Sequence, residues 1–385
     1  MPQSRAKLPA GQKGRTEPSA TPTRAPGGRG NDALQQRLAA AGQLVSGAVT
    51  GAGDMAQRLT RRGTGDVQRE GTLTEPVSRR AVPMDQALAE AKASKEPLGA
   101  WIMKRYAHTP KGESTTAATD TTLRFFAPGL NTPEPEASRR TEHYATTLGQ
   151  PMLHLHNGTN LDAKVPFADK LDYATAAVNR MGVGTTPLMD SIVTLLEAAL
   201  TGADPQDVHA ILYSDSTIAG SRAIATVRQQ MITKRVRGGA SRESAEATTD
   251  ALLEKHLFVE MHGNVVGDLP KGPRYMLWAD EKDDLTHGEL GGSETGLSGR
   301  NKDADANAQY VDYNGPFGGA DAHNLAASGV YAVRETWAAN GVSSSQELFE
   351  KGEAGKGVRV PEKTSGNPAK LWNPRNDPNW GKSKK

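Results

Sequence analysis

The chain has 385 residues and no cysteine, which excludes disulfide frameworks, thiolate metal sites and every enzyme with a cysteine nucleophile. The formal net charge is +2, and basic residues concentrate at the ends: residues 1–30 carry six basic and one acidic side chain, and residues 351–385 carry nine and three. Residues 31–350 therefore carry a net negative charge, which does not predict a basic face that reads nucleic acid specifically. The basic tails are compatible with weak contact with a membrane surface or with nucleic acid.

Both ends of the chain predict disorder. The first thirty or so residues are rich in Pro, Gly, Arg, Ser and Thr, so burial there cannot offset the entropy of ordering the backbone. Within residues 1–95 only Pro83–Ser94 combines a leading proline with strong helix formers and predicts a good helix. Residues 351–385 return to a basic, proline-rich composition. We therefore expect a largely disordered segment over 1–95, one folded domain over 96–350 and a disordered basic tail over 351–385.

Short apolar runs alternate with helical ones through the middle of the chain. Strands are predicted at Thr122–Phe126, Met152–Leu155, Val208–Leu212, His256–Met261 and Arg274–Trp278. Helices are predicted at Glu134–Leu148, Ala168–Arg180, Leu188–Leu200, Thr217–Met231 and Ser241–Lys255. Because strands that alternate with helices form parallel sheets, the predicted fold class is α/β, with a mostly parallel central sheet and helices on both faces.

Ligands of such sheets bind beyond the carboxyl ends of the strands, so the residues after each strand are the candidate site. After the third strand, the residues Tyr213-Ser214-Asp215-Ser216-Thr217 lead directly into a helix. This arrangement of strand, sharp turn with a serine and helix resembles the turn that presents a serine nucleophile. Such a turn needs small residues two places away, and helix packing favours Ser214 over the alternative Ser216 because Ser216, Gly220 and Ala223 would then face the sheet. The structural alternative is a plain helix cap.

Three further segments follow strands in an order that fits serine chemistry. The loop Pro128-Gly129-Leu130-Asn131 offers backbone amides to an oxyanion. An acidic turn, residues 280–286, follows the last predicted strand and offers Asp280, Asp283 and Asp284, and His323 comes later. The order Ser, Asp, His is the one that α/β-hydrolases use.

Four segments resemble a divergent bacterial α/β-hydrolase of lipase-like type: FFAPGLNTPEPEASRRTEHYATTLGQPMLHLHNGTN, DVHAILYSDSTIAGSRAI, HLFVEMHGNVVGDLPKGPRYMLWADEKDDLTHGELGG and DAHNLAASGVY. Members tend to show G-x-N-T at the oxyanion loop, H-S-Q-G-T at the nucleophile and D-P-V at the acid. The resemblance implies Ser214 as nucleophile, Asp284 as acid and His323 as base, with Gly129, Leu130 and Asp215 beside the oxyanion. Departures from the pattern fall at Leu212, Tyr213, Asp215 and Ser216.

The resemblance implies a serine hydrolase that cleaves a lipid or another acyl ester without a cofactor. The alternative is a catalytically inactive hydrolase-fold module that acts on a protein partner. The run His154-Leu155-His156 places two imidazoles on the same face of a strand, a spacing that could bind a metal ion. Because no third ligand lies nearby in the sequence, we expect no metal site.

The sequence also bears on where the protein acts. No apolar run approaches the roughly 18 residues of a spanning helix, so no transmembrane segment is expected. The N-terminal residues lack the apolar core of a Sec signal. We expect a bacterial protein that is either cytoplasmic or delivered into a host cell by a specialised, non-Sec secretion system.

Overall fold

A computed structural model describes residues 72–76, 80–110, 121–129, 132, 134–155, 186–266, 269–280, 283, 307–313 and 345–350. The predicted disordered segments before residue 72 and after residue 350 lie outside these ranges, as does the predicted helix Ala168–Arg180. Within these ranges, no helix has both the length and the apolar character needed to cross a bilayer.

The centre of the molecule is a mostly parallel seven-stranded sheet, and a two-stranded antiparallel hairpin precedes it. The hairpin strands are β1 (Thr72–Thr74) and β2 (Ala81–Pro83). The sheet strands are β3 (Ala107–His108), β4 (Leu123–Ala127), β5 (Met152–His154), β6 (Val208–Tyr213), β7 (Leu257–His262), β8 (Arg274–Asp280) and β9 (Ala308–Tyr313). Their spatial order is β3-β5-β4-β6-β7-β8-β9, and only the edge strand β3 pairs in the antiparallel sense.

Helices cover both faces of this sheet. In chain order they are α1 (Met84–Ser94), α2 (Leu98–Tyr106), α3 (Glu134–Leu148), α4 (Pro187–Leu200), α5 (Ser216–Arg237), α6 (Arg242–His256) and α7 (Ser345–Glu350). Their ends follow local chemistry: Thr186 and Ser241 cap α4 and α6 through their hydroxyls, and Gly149 ends α3 at φ 63°. The α/β class with a mostly parallel sheet is therefore confirmed.

The two faces of the sheet differ in chemistry. The first, which we call the apolar face, carries Phe125, Leu212, Val259 and Met261 and packs in one core with α1, α2, α4, α5 and α6. Residues that alternate with these point to the other side, which we call the polar face. It carries Arg124, His209, Tyr213, Glu260, His262, Trp278 and Asp280, and α3 packs on part of it.

The folded domain begins before residue 96, the boundary that the sequence predicted. The hairpin residues Leu73 and Val82 and the α1 residues Met84, Ala87 and Ala91 are buried in the same core as the sheet. The helix predicted at Pro83–Ser94 is confirmed, but it belongs to the folded domain rather than to a disordered leader. The hairpin strands are short, so their pattern carried little signal.

Candidate functional site

Ser214 occupies the sharp turn between β6 and α5. Its φ is 55°, in the left-handed region that a residue with a side chain rarely adopts. Its amide donates to the carbonyl of His262 at 2.9 Å, and its carbonyl accepts from the amide and hydroxyl of Thr217 at 2.9 and 2.6 Å. The residue is partly exposed. Strained backbone that neighbouring groups hold in place is typical of functional sites, and here it lies at the carboxyl ends of the strands.

Ser216, the alternative nucleophile, has a structural role. It is fully buried, and its Oγ accepts from the amide of Tyr213 at 2.7 Å. Its hydroxyl lies 2.8 Å from the carbonyl oxygen of Ala127 and 3.0 Å from that of Tyr213, so its one proton serves the backbone of β4 or β6. These contacts occupy the hydroxyl of Ser216 within the backbone of the turn.

The large residue at Leu212 is accommodated by a glycine on the facing helix. A Cβ at Gly220 would overlap Cδ1 of Leu212 and would lie 3.2 Å from its Cγ. Ser216, Gly220 and Ala223 are all buried where α5 meets the sheet, as predicted. The strand and helix therefore approach closely at the serine turn although the small residue expected before Ser214 is absent.

The loop after β4 lies directly against the serine. A Cβ at Gly129 would stand 2.9 Å from the Cβ of Ser214 and 3.1 Å from the ring of Tyr213, so only glycine fits this position without a shift. The structure thus brings Gly129 and Ser214 together as the sequence suggested. Leu130, the next residue of the predicted oxyanion loop, lies outside the described residues.

The acidic turn after β8 is described in part. Asp280 ends the strand and is buried, and the amide of the fully buried Asp283 donates to its carbonyl at 3.0 Å. Burial raises the pKa of the Tyr213 hydroxyl, and the carboxylate of Asp283 adds to that shift, so the acidic turn lies within electrostatic reach of the residue before Ser214. Asp284 and His323, the predicted acid and base, lie outside the described residues.

A buried ion pair adjoins the serine turn, and sequence reasoning missed it. Arg140 and Glu136, one helical turn apart on α3, form this pair. The Arg140 guanidinium lies 5.1 Å from the ring centre of Tyr213, the residue before Ser214. Burial raises the pKa of the Tyr213 hydroxyl, and the charge of Arg140 and a hydrogen bond from it oppose that shift. Burial likewise raises the pKa of the Glu136 carboxyl, again against the effect of Arg140.

A second buried network crosses the polar face. One carboxylate oxygen of the fully buried Glu260 lies 2.7 Å from His209 Nε2, and the other accepts from Trp278 Nε1 at 3.0 Å and lies 3.4 Å from His262 Nε2. His262 Nδ1 is 2.6 Å from the hydroxyl of Tyr144 on α3. Glu260 and His262 alternate with apolar residues along β7, and that interruption was the one signal available in the sequence.

No group of three ligating side chains that could hold a metal ion occurs among the residues that the structure describes. His154 is buried on β5, and His156 lies outside the described residues. No protein-family model, curated protein or solved structure matches the chain.

Proposed function

We propose that this protein is a serine hydrolase that cleaves an ester, and that Ser214 is its nucleophile. The observation that carries the proposal is the backbone of Ser214, which holds this partly exposed residue at φ 55° between a parallel strand and a helix. A strained strand-to-helix turn is the feature that raises a serine hydroxyl above an α/β-hydrolase sheet. A plain helix cap does not account for this turn, because the N-cap residue is Asp215, whose side chain makes no capping hydrogen bond, and the left-handed residue Ser214 precedes it.

The topology supports the finer fold assignment to the α/β-hydrolases. The sheet exchanges β4 and β5 relative to chain order, keeps β6 to β9 in sequence and has its antiparallel strand at the β3 edge. Strands of α/β-hydrolases follow the same exchange, with the nucleophile after the strand that corresponds to β6. Because one fold hosts many functions, this likeness supports the fold, whereas the activity rests on the serine turn.

The proposed reaction is acyl transfer through a covalent ester. Ser214 Oγ attacks the carbonyl carbon of the substrate while His323 accepts the serine proton, and His323 then donates that proton to the departing alcohol. Water, activated by the same imidazole, hydrolyses the acyl-enzyme. An aspartate of the 280–284 turn orients the imidazole, and amides of Asp215 and of the Gly129–Leu130 loop stabilise the oxyanion.

The substrate class is a lipid or another acyl ester, and no cofactor takes part in this chemistry. The competing proposal, an inactive module on the same fold, was motivated by Leu212, Tyr213 and Ser216. Gly220 makes room for Leu212, and the hydroxyl of Ser216 satisfies the backbone around it. Two of the four departures from the family pattern, at Leu212 and Ser216, are therefore compatible with a formed serine turn.

Labelling with a fluorophosphonate probe tests the proposal. The amount of label bound to the full chain should rise with the amount of protein. Ser214→Ala should not be labelled, whereas Ser216→Ala should still be labelled if circular dichroism shows that it is folded. Wild-type protein that stays unlabelled, under conditions in which a control hydrolase reacts, would favour the inactive module. A label that disappears in folded Ser216→Ala but persists in Ser214→Ala would reverse the assignment of the nucleophile.

The place of action remains part of the proposal. Delivery by a specialised secretion system predicts that deletion of residues 1–30 abolishes export and leaves the thermal unfolding of the core unchanged, because that segment has little apolar surface to bury. Unimpaired export of the truncated protein would contradict this and favour a cytoplasmic enzyme with an unimportant tail.

A further inference from the structure

Arg140 stands between three segments of the candidate site. It lies on α3, the helix that follows the Gly129 loop, and its guanidinium contacts Tyr213 at the end of β6. The Tyr213 ring in turn borders Gly129, and its hydroxyl is within electrostatic reach of Asp283 in the acidic turn. One buried side chain is thus linked to the oxyanion loop, the serine turn and the acid turn.

Charged and titratable groups surround the contact between Arg140 and Tyr213. The charged or titratable groups shown to face the Arg140–Tyr213 contact are Glu136 from α3, Tyr213 from β6 and Asp283 from the acidic turn. Arg140 is 4% exposed and Glu136 is 6% exposed, so the surrounding charges are barely screened by water. A guanidinium is a planar, forked cation, and here it pairs with Glu136 and lies over the ring of Tyr213. A lysine ammonium is a compact charge without that fixed fork.

The position of Tyr213 makes this contact relevant to the serine. Tyr213 directly precedes Ser214, and its amide and carbonyl both lie within hydrogen-bonding distance of Ser216 Oγ, so the peptides on either side of Tyr213 lie against that hydroxyl. The Tyr213 ring packs with Phe126, Tyr144 and Ile211 beneath the turn. A shift of the ring would therefore move the backbone from which Ser214 projects.

We propose that Arg140 is a positioning residue for Ser214: it fixes Tyr213 through its hydroxyl and ring and thereby sets the reactive orientation of the serine. This inference rests on the proposed hydrolase function. Arg140 touches neither substrate nor the reacting atoms in this role. It acts through Tyr213, so its effect on Ser214 should vanish when the Tyr213 hydroxyl is absent.

The test is a double-mutant cycle in the rate of fluorophosphonate labelling of the full chain. Arg140→Lys should lower the limiting rate of labelling about tenfold, because misplacing a reacting group costs rate steeply. The reagent concentration at half-maximal rate should stay unchanged. Tyr213→Phe should slow labelling similarly, and Arg140→Lys should slow the Tyr213→Phe protein by no more than about twofold further. The matched control is Arg228→Lys, which alters a part-buried Arg–Asp pair on α5 and should label at the wild-type rate.

Each result separates this inference from the proposed function. If wild-type protein is unlabelled, the hydrolase proposal fails and this inference falls with it. If wild type is labelled and folded Arg140→Lys reacts equally fast, or if the two substitutions act independently, only the inference is overturned. Should Arg140→Lys fail to fold, Glu136→Met with Arg140→Met replaces the ion pair by apolar side chains, a change that buried pairs often tolerate. Labelling of that folded protein at the wild-type rate would also overturn the inference.

Discussion

The two faces of the central sheet bury residues of the same strands but differ in the contacts that those residues make. Along β7, Val259 and Met261 enter a continuous apolar core, while Glu260 and His262, which alternate with them, form a hydrogen-bonded network on the other face. A parallel sheet covered by helices needs no polar residues in its strands. Burying a carboxylate costs free energy unless hydrogen-bond donors surround it. The polar face therefore depends on specific hydrogen bonds as well as on apolar packing.

The position of the polar face explains what those contacts can serve. Its groups run from His209 up to Tyr213 and His262 at the carboxyl ends of the strands, directly beside the Ser214 turn. The apolar face supports the same turn only through packing, with Leu212 against Gly220. Packing therefore holds the serine turn from one side of the sheet, while buried polar contacts hold it from the other.

The largest effect should follow removal of the central carboxylate of the polar face. Glu260→Ala leaves His209, His262 and the Trp278 N–H without the acceptor they share, and it should lower the free energy of unfolding by about 3–5 kcal/mol. The control is the adjacent Met261→Leu on the apolar face, a volume-conserving change that should cost less than about 1.5 kcal/mol. Urea unfolding of both variants measures the difference, and equal costs would remove the distinction between the faces.

The next effect concerns reactivity. Gly129→Ala places a methyl group against Ser214 Cβ and the Tyr213 ring, and displacement of the loop should slow fluorophosphonate labelling about 100-fold. The same substitution at Gly202 meets nothing closer than 3.9 Å and should leave labelling unchanged. Labelling of Gly129→Ala at the wild-type rate would show that the loop after β4 is not part of the site.

A smaller effect tests the packing side of the serine turn. Alanine normally stabilises a helix relative to glycine, but Gly220→Ala overlaps Leu212 and should lower the free energy of unfolding by about 1–3 kcal/mol. Leu212→Ala in the same chain makes room for the methyl group, so the double variant should lose less than the sum of the single changes. Strictly additive losses in thermal or urea unfolding would contradict the close approach of β6 and α5.

The smallest effect is a pH dependence at the β3 edge of the sheet. Burial lowers the pKa of His108 below its usual 6.5, with Glu142 opposing the shift. The unfolded chain therefore takes up a proton at higher pH than the folded chain, and stability should fall as the pH drops below 6.5. His108→Gln should flatten that part of the stability curve in unfolding experiments from pH 7 to pH 5. An unchanged slope would show that His108 does not titrate differently on folding.

Much of the fold could be predicted from local pattern. The helix at Glu134–Leu148 is confirmed at both ends, and the strands of the parallel core are confirmed to within a residue or two, because long periodic or apolar runs carry their own signal. The short strands β1 to β3 were missed, as were α2, β9 and α7. Such elements gain most of their stability from tertiary packing rather than from their own sequence.

The site was predictable only in part, for a physical reason. Ser214 and Gly129 each follow a strand, so parallel topology alone brings them to one edge. Glu260 and His209 lie 51 residues apart and meet because of the register between β6 and β7, which no local pattern specifies. Arg140 lies on α3, whose sequence is mostly polar, and the residues around it in the sequence do not indicate that it is buried against Tyr213.

The central claim is that the Ser214 turn presents a reactive hydroxyl. Its most direct test is peptide mapping by mass spectrometry after fluorophosphonate treatment of the full chain, since the mass added to each peptide identifies the modified residue. The account predicts one added phosphonyl group per chain, located on Ser214, with Ser216 unmodified. A folded chain that gains no mass, or one that carries the group on a residue other than Ser214, would contradict it.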